Sequence, residues 1–147
     1  MPHFTLQIAN NGPVLVAVLN VTQSRASALA AAGQPVPPMQ RLSALVDTGA
    51  SCTCVDPEII QTLGLTPTGS TTILTPSTGA TGHTTDQYDA SLQIYHTTEE
   101  SPLSIPVIAI VASVLRVQGI DALIGRDVLK YCLLSYNGQS GFFTLAF

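Results

Sequence analysis

One aspartate stands where an apolar segment meets a tight turn. The segment Ala44-Leu45-Val46 leads directly into Asp47-Thr48-Gly49, which is followed by Ala50 and Ser51. A carboxylate at the end of a buried strand is costly unless it is used or satisfied. Gly49 permits a tight turn and the close approach of a peptide backbone, and Thr48 offers a hydroxyl that can hold a neighbouring loop. By itself the triplet suits either a plain Asx-type turn or a catalytic carboxylate.

A second motif follows further along the chain. There Ala122-Leu123-Ile124 leads into Gly125-Arg126-Asp127. The two motifs, in this order and at this spacing, resemble the retropepsin-like aspartic proteases, the single-lobe relatives of pepsin, over residues 41 to 135. The resemblance implies a mostly-β fold: an acid-protease half-barrel with a flap hairpin and two short helices, closed as a two-fold dimer. We expect residues 1 to 147 to form a single domain of this kind.

The resemblance also implies a role for each matching residue. Asp47 would be the catalytic aspartate, and Thr48 would form interlocked hydrogen bonds between subunits beneath the two aspartates. Gly49 would present its carbonyl to the substrate backbone. The implied substrate-binding set comprises the turn, the flap tip and the loop before the second motif: Gly49, Ala50, Ser51, Thr78, Gly79, Ala80, Ile120, Asp121 and Leu123.

The second motif is expected to be structural. The resemblance assigns Gly125, Arg126 and Asp127 to support of the site. Many family members carry an aspartate two residues after the glycine of the first motif, and it pairs with the arginine of the second. Ser51 occupies that position here, so Arg126 must find another partner.

A single triplet predicts a dimer. Peptide hydrolysis without a metal or a covalent nucleophile needs an activated water, and two carboxyl groups that share one proton can both accept the water's proton and polarise the carbonyl. At about 3 Å, two unit charges repel by about 5 kcal/mol at an effective dielectric constant of about 20, so one carboxyl stays protonated. The chain holds one Asp-Thr-Gly. A homodimer would place two copies of Asp47 face to face, with a peptide or protein as substrate and no cofactor.

The amino-acid composition limits which classes of binding partner we expect for this chain. Of the residues, 46% are apolar and 10% are charged, with a net charge of -4. The five basic residues are scattered, so we expect no nucleic-acid partner. The longest apolar stretch, Ile105 to Leu115, is shorter than the roughly 20 residues that span a bilayer, so we expect no membrane segment. The first residues show no signal peptide, and we expect a cytoplasmic protein.

The cysteines and histidines do not suggest a metal. Cys52, Cys54 and Cys132 are odd in number and lack a second ligand pair, and the histidines are far apart in sequence. We therefore expect no metal site and no disulfide framework. Cys52 and Cys54 are interpreted as packing residues, with redox control near the turn as the less favoured alternative.

Turn residues and apolar runs predict many short strands and two helices. The predicted helices are Asp56 to Gly64 and Arg126 to Cys132. Phe4 to Val21 is predicted to form a β-hairpin, and Ser24 to Gln40 an exposed loop whose Ala-rich first part has helical character. The remaining predicted strands are Arg41 to Asp47, Thr71 to Thr75, Gln87 to Tyr95, Leu103 to Ala112, Ile120 to Ile124, Leu133 to Tyr136 and Phe142 to Phe147, with residues 76 to 83 as the flap tip.

Two alternatives to an active dimeric peptidase stay open. A binding or assembly module can keep the protease fold with little activity, since fold does not guarantee function. A monomeric domain of a longer polyprotein is the other. The intact Asp47-Thr48-Gly49 triplet favours the enzyme.

Overall fold

The computed structural model describes residues 1–75, 78–95 and 102–147. The strands are β1 (His3–Gln7), β2 (Val14–Asn20), β3 (Gln40–Val46), β4 (Cys54–Val55), β5 (Gly69–Ile73), β6 (His83–Ile94), β7 (Leu103–Ala112), β8 (Ala122–Ile124), β9 (Leu133–Asn137) and β10 (Phe142–Ala146). The α-helices are α1 (Gln23–Ala31), α2 (Pro57–Thr62) and α3 (Arg126–Leu129). Short 3-10 turns lie at Gly79–Thr81 and Arg116–Gln118. The predicted mostly-β fold is confirmed.

The larger sheet closes into a barrel. Its strand order is β2-β3-β8-β4-β7-β6-β5, and β2 also pairs with β6. The strand β5 extends beyond the closure as the outer strand of a hairpin with β6. Within the barrel β3 runs parallel to β8, with Val46 beside Ile124. Parallel neighbours end at the same edge of a sheet, so Asp47 and Gly125 emerge side by side.

Alternating burial explains why these strands close around one core. In β2 the inward residues Leu15, Ala17 and Leu19 are buried while their neighbours are half-buried. The strand β3 alternates in the same way, which is the period expected of strands with one covered face. Helix α2 closes one side of the core with Ile59 and Ile60.

A second, three-stranded sheet brings the two ends of the chain together in the order β1-β10-β9. The predicted hairpin from Phe4 to Val21 is therefore wrong. Its turn exists as a bridge between Ala9 and Gly12, but β1 pairs with β10 and β2 pairs with β3. Burial of Phe4 against the core and its edge-to-face contact with Phe147 favour the long-range pairing.

The two predicted helices are confirmed as α2 and α3. Asp56 caps α2 by accepting a hydrogen bond from the Glu58 N–H at 3.1 Å, and Pro57 follows at the first helical position. Gly64, just beyond the end, has a φ of +59°, which favours glycine. A third helix, α1, covers Gln23–Ala31. The helical character expected of the Ala-rich first part of this segment is confirmed, whereas the expected exposed loop is wrong over this range. None of its residues is buried.

The other predicted strands are confirmed with shifts of a few residues. The strand from Leu103 to Ala112 and the closing hairpin of β9 and β10 lie where the sequence predicts them. Of the predicted flap tip, residues 76 and 77 lie outside the described residues. In the described ranges, every helix is too short or too polar to cross a bilayer.

Candidate active site

Asp47 sits at the mouth of the barrel, immediately after β3. Its backbone N–H donates to the Ile124 carbonyl at 3.0 Å, which extends the β3–β8 ladder by one bond. Its carboxylate Oδ1 accepts a hydrogen bond from the Gly49 N–H at 2.8 Å. The side chain is half-buried, whereas Thr48 and Gly49 are exposed. A carboxylate is thus held by a rigid ladder beside a turn that is open to solvent.

Arg126 holds this turn from the second motif. Its guanidinium Nη1 donates to the main-chain oxygens of Thr48 at 2.9 Å and Gly49 at 3.2 Å. Its backbone N–H donates to the Ala50 carbonyl at 2.9 Å. The partner that Arg126 finds in place of an acidic side chain at Ser51 is therefore the backbone of the turn from Thr48 to Ala50. Charge-assisted bonds of this kind are stronger than neutral ones.

Asp127 and Gly125 fix the chain that follows the turn. Asp127 accepts hydrogen bonds from the Thr53 N–H at 2.9 Å and from the Thr53 hydroxyl at 2.8 Å. The same hydroxyl oxygen accepts from the Gly125 N–H at 3.2 Å. A Cβ on Gly125 would lie 2.5 Å from the carbonyl carbon and oxygen of Cys52, so only glycine fits. These contacts join the second motif to the segment after the turn, and the supporting role of Gly125, Arg126 and Asp127 stays a prediction.

Thr53 is a buried residue beside the turn that the sequence does not single out. It is fully buried, with 0% exposure, in a chain where threonine is common on surface strands. Its signal is weak, because a lone polar residue between Cys52 and Cys54 does not by itself indicate burial. The burial of Thr53 is explained only in the folded structure, where its hydroxyl bonds both the Asp127 carboxylate and the Gly125 N–H.

A cleft of about 420 Å³ opens beside the turn. It is lined by Ser51 and Cys52 on one side, by Thr71, Thr72, Ile73 and Leu74 on another, and by Gln87, Ala109, Val111 and Asp127. One of the predicted substrate-binding residues, Ser51, thus lines the same cleft as β5 of the β5–β6 hairpin. The walls mix apolar side chains with a few polar groups, as is usual for ligand clefts.

Three of the predicted substrate-binding residues, Thr78, Gly79 and Ala80, lie at the tip of the β5–β6 hairpin and do not line this cleft. The Thr78 hydroxyl accepts from the Thr75 N–H at 2.8 Å, and the Thr78 N–H donates to the Thr75 carbonyl at 3.0 Å. Gly79, with a φ of +62°, and Ala80 are exposed. Thr75 and Thr78 are thus joined by hydrogen bonds, and Gly79 and Ala80 are exposed to solvent.

The loop before the second motif differs from the predicted picture of pocket-lining side chains. Ile120 is 2% exposed and packs with Cys54, Val111 and Leu115. Leu123 is half-buried beside this cluster. Any contact that Ile120 makes with a peptide would require the cluster to open, whereas Leu123 keeps part of its side chain accessible.

Asp121 takes part in a network that supports this loop. Its carboxylate accepts from the Ser43 N–H at 2.9 Å and pairs with the Arg116 Nε at 3.3 Å. Arg116 also pairs with Glu58. The predicted substrate-binding role of Asp121 stays a prediction, and its observed contacts join β3 to the loop.

Asp56 anchors the same loop from below. Its Oδ2 accepts from the Leu115 N–H at 2.9 Å and the Arg116 N–H at 3.0 Å. Burial alone raises the pKa of this carboxyl, but the backbone bonds from Arg116, Leu115 and Glu58 outweigh it and hold the pKa below its ordinary value. Asp56 is therefore an ionised, fully engaged structural group.

The cysteines are free thiols. Burial, followed by the neighbouring Cys52, raises the pKa of Cys54 to about 12, and burial raises the pKa of Cys132 to about 11. Cys52 is half-buried and lines the cleft. Within the described residues, there is no group of three or more His, Cys, Asp or Glu side chains that could hold a metal ion.

Comparisons with known proteins agree with this geometry. The family model described as aspartyl protease matches residues 32–128, more than half of the chain. The fold is similar to a retropepsin-like aspartic protease from Rickettsia conorii, with a TM-score of 0.58 and 13% identity, covering 98% of this chain and 90% of that one. A weaker likeness, to the retroviral protease-like domain of Ddi1 from Leishmania major, has a TM-score of 0.39 and 12% identity, covering 86% and 83%. Among curated proteins, no sequence matches.

A closed barrel that carries one Asp-Thr-Gly turn, braced by a Gly-Arg-Asp helix start, defines the class of single-lobe aspartyl proteases. The chain belongs to the aspartyl protease family and has a retropepsin-like fold. The resemblance drawn from its two motifs is confirmed.

Proposed function

We propose that the chain is an aspartic endopeptidase that hydrolyses peptide bonds with a water activated between two Asp47 carboxyl groups, one from each subunit of a homodimer. The observation that carries the proposal is the exposed turn at Asp47. The Gly49 N–H holds the Asp47 carboxylate, and Arg126 holds the main-chain carbonyls of the turn. The chain has one Asp-Thr-Gly triplet and so supplies one such carboxylate. The Asp47 carboxylate is therefore held in a fixed position beside an exposed surface. This arrangement suits one half of an active site, to which a second copy of the chain adds the other half.

The proposed reaction divides two tasks between the two carboxyl groups. The ionised Asp47 accepts a proton from the water as the water oxygen attacks the carbonyl carbon of the peptide bond. The protonated Asp47 of the second subunit donates to the carbonyl oxygen, which gives a neutral tetrahedral diol. As the diol collapses, the carboxylate that is now ionised takes a proton from a diol hydroxyl, the carbonyl re-forms and the C–N bond breaks. The other carboxyl gives its proton to the leaving nitrogen, so the pair again shares one proton.

The turn residues would serve the dimer and the substrate. Among the described residues, the Thr48 hydroxyl makes no hydrogen bond inside the chain, and the side chain is exposed. It is therefore available for the interlocked intersubunit bonds that we predict. The β5–β6 hairpin would act as the flap, with Gly79 and Ala80 at its tip and Ser51 across the cleft.

Hydrolysis of a peptide library by the purified chain, with and without pepstatin, tests the proposal. Asp47→Asn is expected to abolish pepstatin-sensitive cleavage and to leave the fold intact. Asp89→Asn, the same chemical change at an exposed position on β6, is the matched control and should cleave normally. Cleavage at the wild-type rate by Asp47→Asn would exclude the mechanism. A folded dimer that binds peptides and leaves them uncut would instead support a binding module.

A further inference from the structure

A second cavity is separate from the cleft beside the Asp47 turn. Its volume is about 470 Å³, against about 420 Å³ for the cleft. Its walls come from β1, from β2, from Met39 and Arg41 at the start of β3, and from Tyr95 just after β6. The two spaces share no lining residue, so the proposed peptidase reaction gives this second space no role. We call it the outer cavity.

The floor of the outer cavity is an apolar stripe on the outward face of β2. Leu15, Ala17 and Leu19 point into the core of the barrel. Val16 and Val18 alternate with them, are half-buried and line the outer cavity. Outward positions of an antiparallel strand with one covered face are normally polar. The two valines are therefore an apolar surface that the chain itself covers only in part.

The remaining apolar walls combine a fixed side with an exposed rim. Phe4 is 4% exposed and Leu6 is half-buried, so β1 forms the fixed side. Met39 is 62% exposed and Tyr95 is 44% exposed, so these two residues form the rim. The Tyr95 hydroxyl already donates to Gln93 Oε1 at 2.8 Å. The walls thus offer a ligand mainly apolar contact.

Arg41 is the one charged residue among the described residues that line the outer cavity. It is exposed and lies opposite Val18 in the β2–β3 register. Within the described ranges, its guanidinium makes no ion pair and no hydrogen bond. Arg116 and Arg126, by contrast, are bound to Glu58 and to the Thr48 carbonyl. A guanidinium can donate two parallel bonds to one carboxylate, so Arg41 is available for an acidic ligand.

The chemistry of these walls limits the class of ligand. One cation beside an apolar surface complements a single negative charge on an apolar body. A nucleotide or a sugar needs several polar partners, which the described lining does not supply. The volume is within the range of pockets that hold small molecules.

We propose that the outer cavity binds a medium-chain fatty acid, with the carboxylate on Arg41 and the alkyl chain along Val16, Val18 and Leu6. The ligand is the free acid, because the carboxylate is the group that complements Arg41. This binding activity is separate from the proposed peptidase and does not depend on it.

Isothermal titration calorimetry of the full chain with decanoate tests the proposal. Decanoate is expected to bind more tightly than octanoate, by about 4-fold for each added methylene that is buried. Decanol and decyltrimethylammonium have the same alkyl chain without the negative charge, and both are expected to bind at least about 10-fold more weakly. Absence of decanoate binding, or equal affinities for decanoate and decanol, would overturn the proposal.

Removal of the Arg41 charge tests the contact with the carboxylate. Arg41→Gln is expected to weaken decanoate binding about 10-fold and to leave the affinity for decanol unchanged. Arg25→Gln, at an exposed arginine on α1 outside the lining, is the matched control and should bind decanoate normally. Unchanged decanoate affinity in a folded Arg41→Gln protein would overturn the proposal.

A second variant tests the rim independently of Arg41. Met39→Asp places a negative charge at an exposed position, where it repels the carboxylate without disturbing the core, and it is expected to weaken decanoate binding. Val36→Asp makes the same change at an exposed position outside the described lining and should have no effect. Equal decanoate affinities for these two variants would contradict the proposed position of the ligand.

Methyl NMR spectra locate the bound decanoate. The methyl signals of Val16 and Val18 are expected to shift on titration, while those of Ile73 in the Asp47 cleft stay in place. Shifts at Ile73 without shifts at the valines would place the ligand in the cleft and overturn the proposal. A chain that binds decanoate in the outer cavity but cuts no peptide would retain this inference and reject the peptidase.

Discussion

The Arg126 Nη1 atom lies 2.9 Å from the main-chain oxygen of Thr48, so the second motif holds the first directly through the backbone. The same nitrogen reaches the Gly49 carbonyl at 3.2 Å. The carbonyls beside Asp47 are thus oriented by a fixed cation. Ser51 does not disturb this support, because the contact needs no acidic side chain.

Arg126→Lys is expected to lower kcat about 10-fold and to change KM little. A lysine keeps the charge but lacks the planar guanidinium that bonds two carbonyls at once, so the turn loses precision. Steady-state kinetics on a cleaved peptide measure the effect. Arg25→Lys, at an exposed arginine on α1, is the control. An unchanged kcat for Arg126→Lys would show that the contact does not position the turn.

Gly125→Ala is expected to destabilise the fold by about 3 kcal/mol, near the upper end for overpacking. The added Cβ would lie 2.5 Å from the Cys52 carbonyl, which is backbone and cannot rotate away. Gly69→Ala is the matched control, since nothing lies within 4 Å of its added Cβ. Urea denaturation followed by circular dichroism gives both free energies of unfolding. Equal values for the two variants would contradict this packing.

Asp56→Asn is expected to reduce the free energy of unfolding by about 2 kcal/mol at neutral pH. The amide would present an N–H group where Oδ2 now accepts from Leu115 and Arg116. The pKa of Asp56 is lower in the folded than in the unfolded chain. Its stabilising effect is therefore complete above the ordinary carboxyl pKa of about 3.9 and is lost as the pH falls through the folded-state pKa.

Denaturation of the wild type and Asp56→Asn across a pH series measures this dependence. The gap between them should be constant near neutral pH and should narrow below about pH 4. A gap that widens towards acid would contradict the ionised, bonded state of Asp56.

Alkylation of the native chain at about pH 8 is expected to label Cys52 before the other thiols. The pKa of about 12 for Cys54 and of about 11 for Cys132 leave little thiolate at that pH. Cys52 lines the open cleft. Peptide mapping by mass spectrometry after short exposure to iodoacetamide identifies the labelled thiol. Preferential labelling of Cys54 would contradict the burial described above.

Local signals in the sequence predicted the elements but not all of their partners. Asp56, Pro57 and Gly64 mark the ends of α2 because caps and turns depend on a few adjacent residues. The β1–β2 pairing was wrong because a turn signal at Gly12 fixes a turn without fixing which strands pair. Only the three-dimensional packing of Phe4 on the core shows that β1 belongs with β10.

The motif residues of the candidate site could be predicted from the sequence, but the hydrogen bonds that hold them in place could not. Asp47 and Arg126 are visible as motif residues, whereas the Arg126 contact uses backbone oxygens that carry no side-chain signature. Helix α1 shows the same limit in the fold. It has no apolar face to reveal itself, and its Ala-rich sequence suits a helix or a loop.

Mixing wild-type chains with Asp47→Asn chains tests the two-carboxylate site most directly. The two proteins are unfolded together and refolded at equal amounts, and activity per total chain is measured. If each site needs one intact Asp47 from each subunit, random assortment leaves about a quarter of the wild-type activity. Asp89→Asn, mixed in the same way, should leave the activity unchanged. About half of the activity in the Asp47→Asn mixture would mean that each chain works alone, and would contradict the shared site.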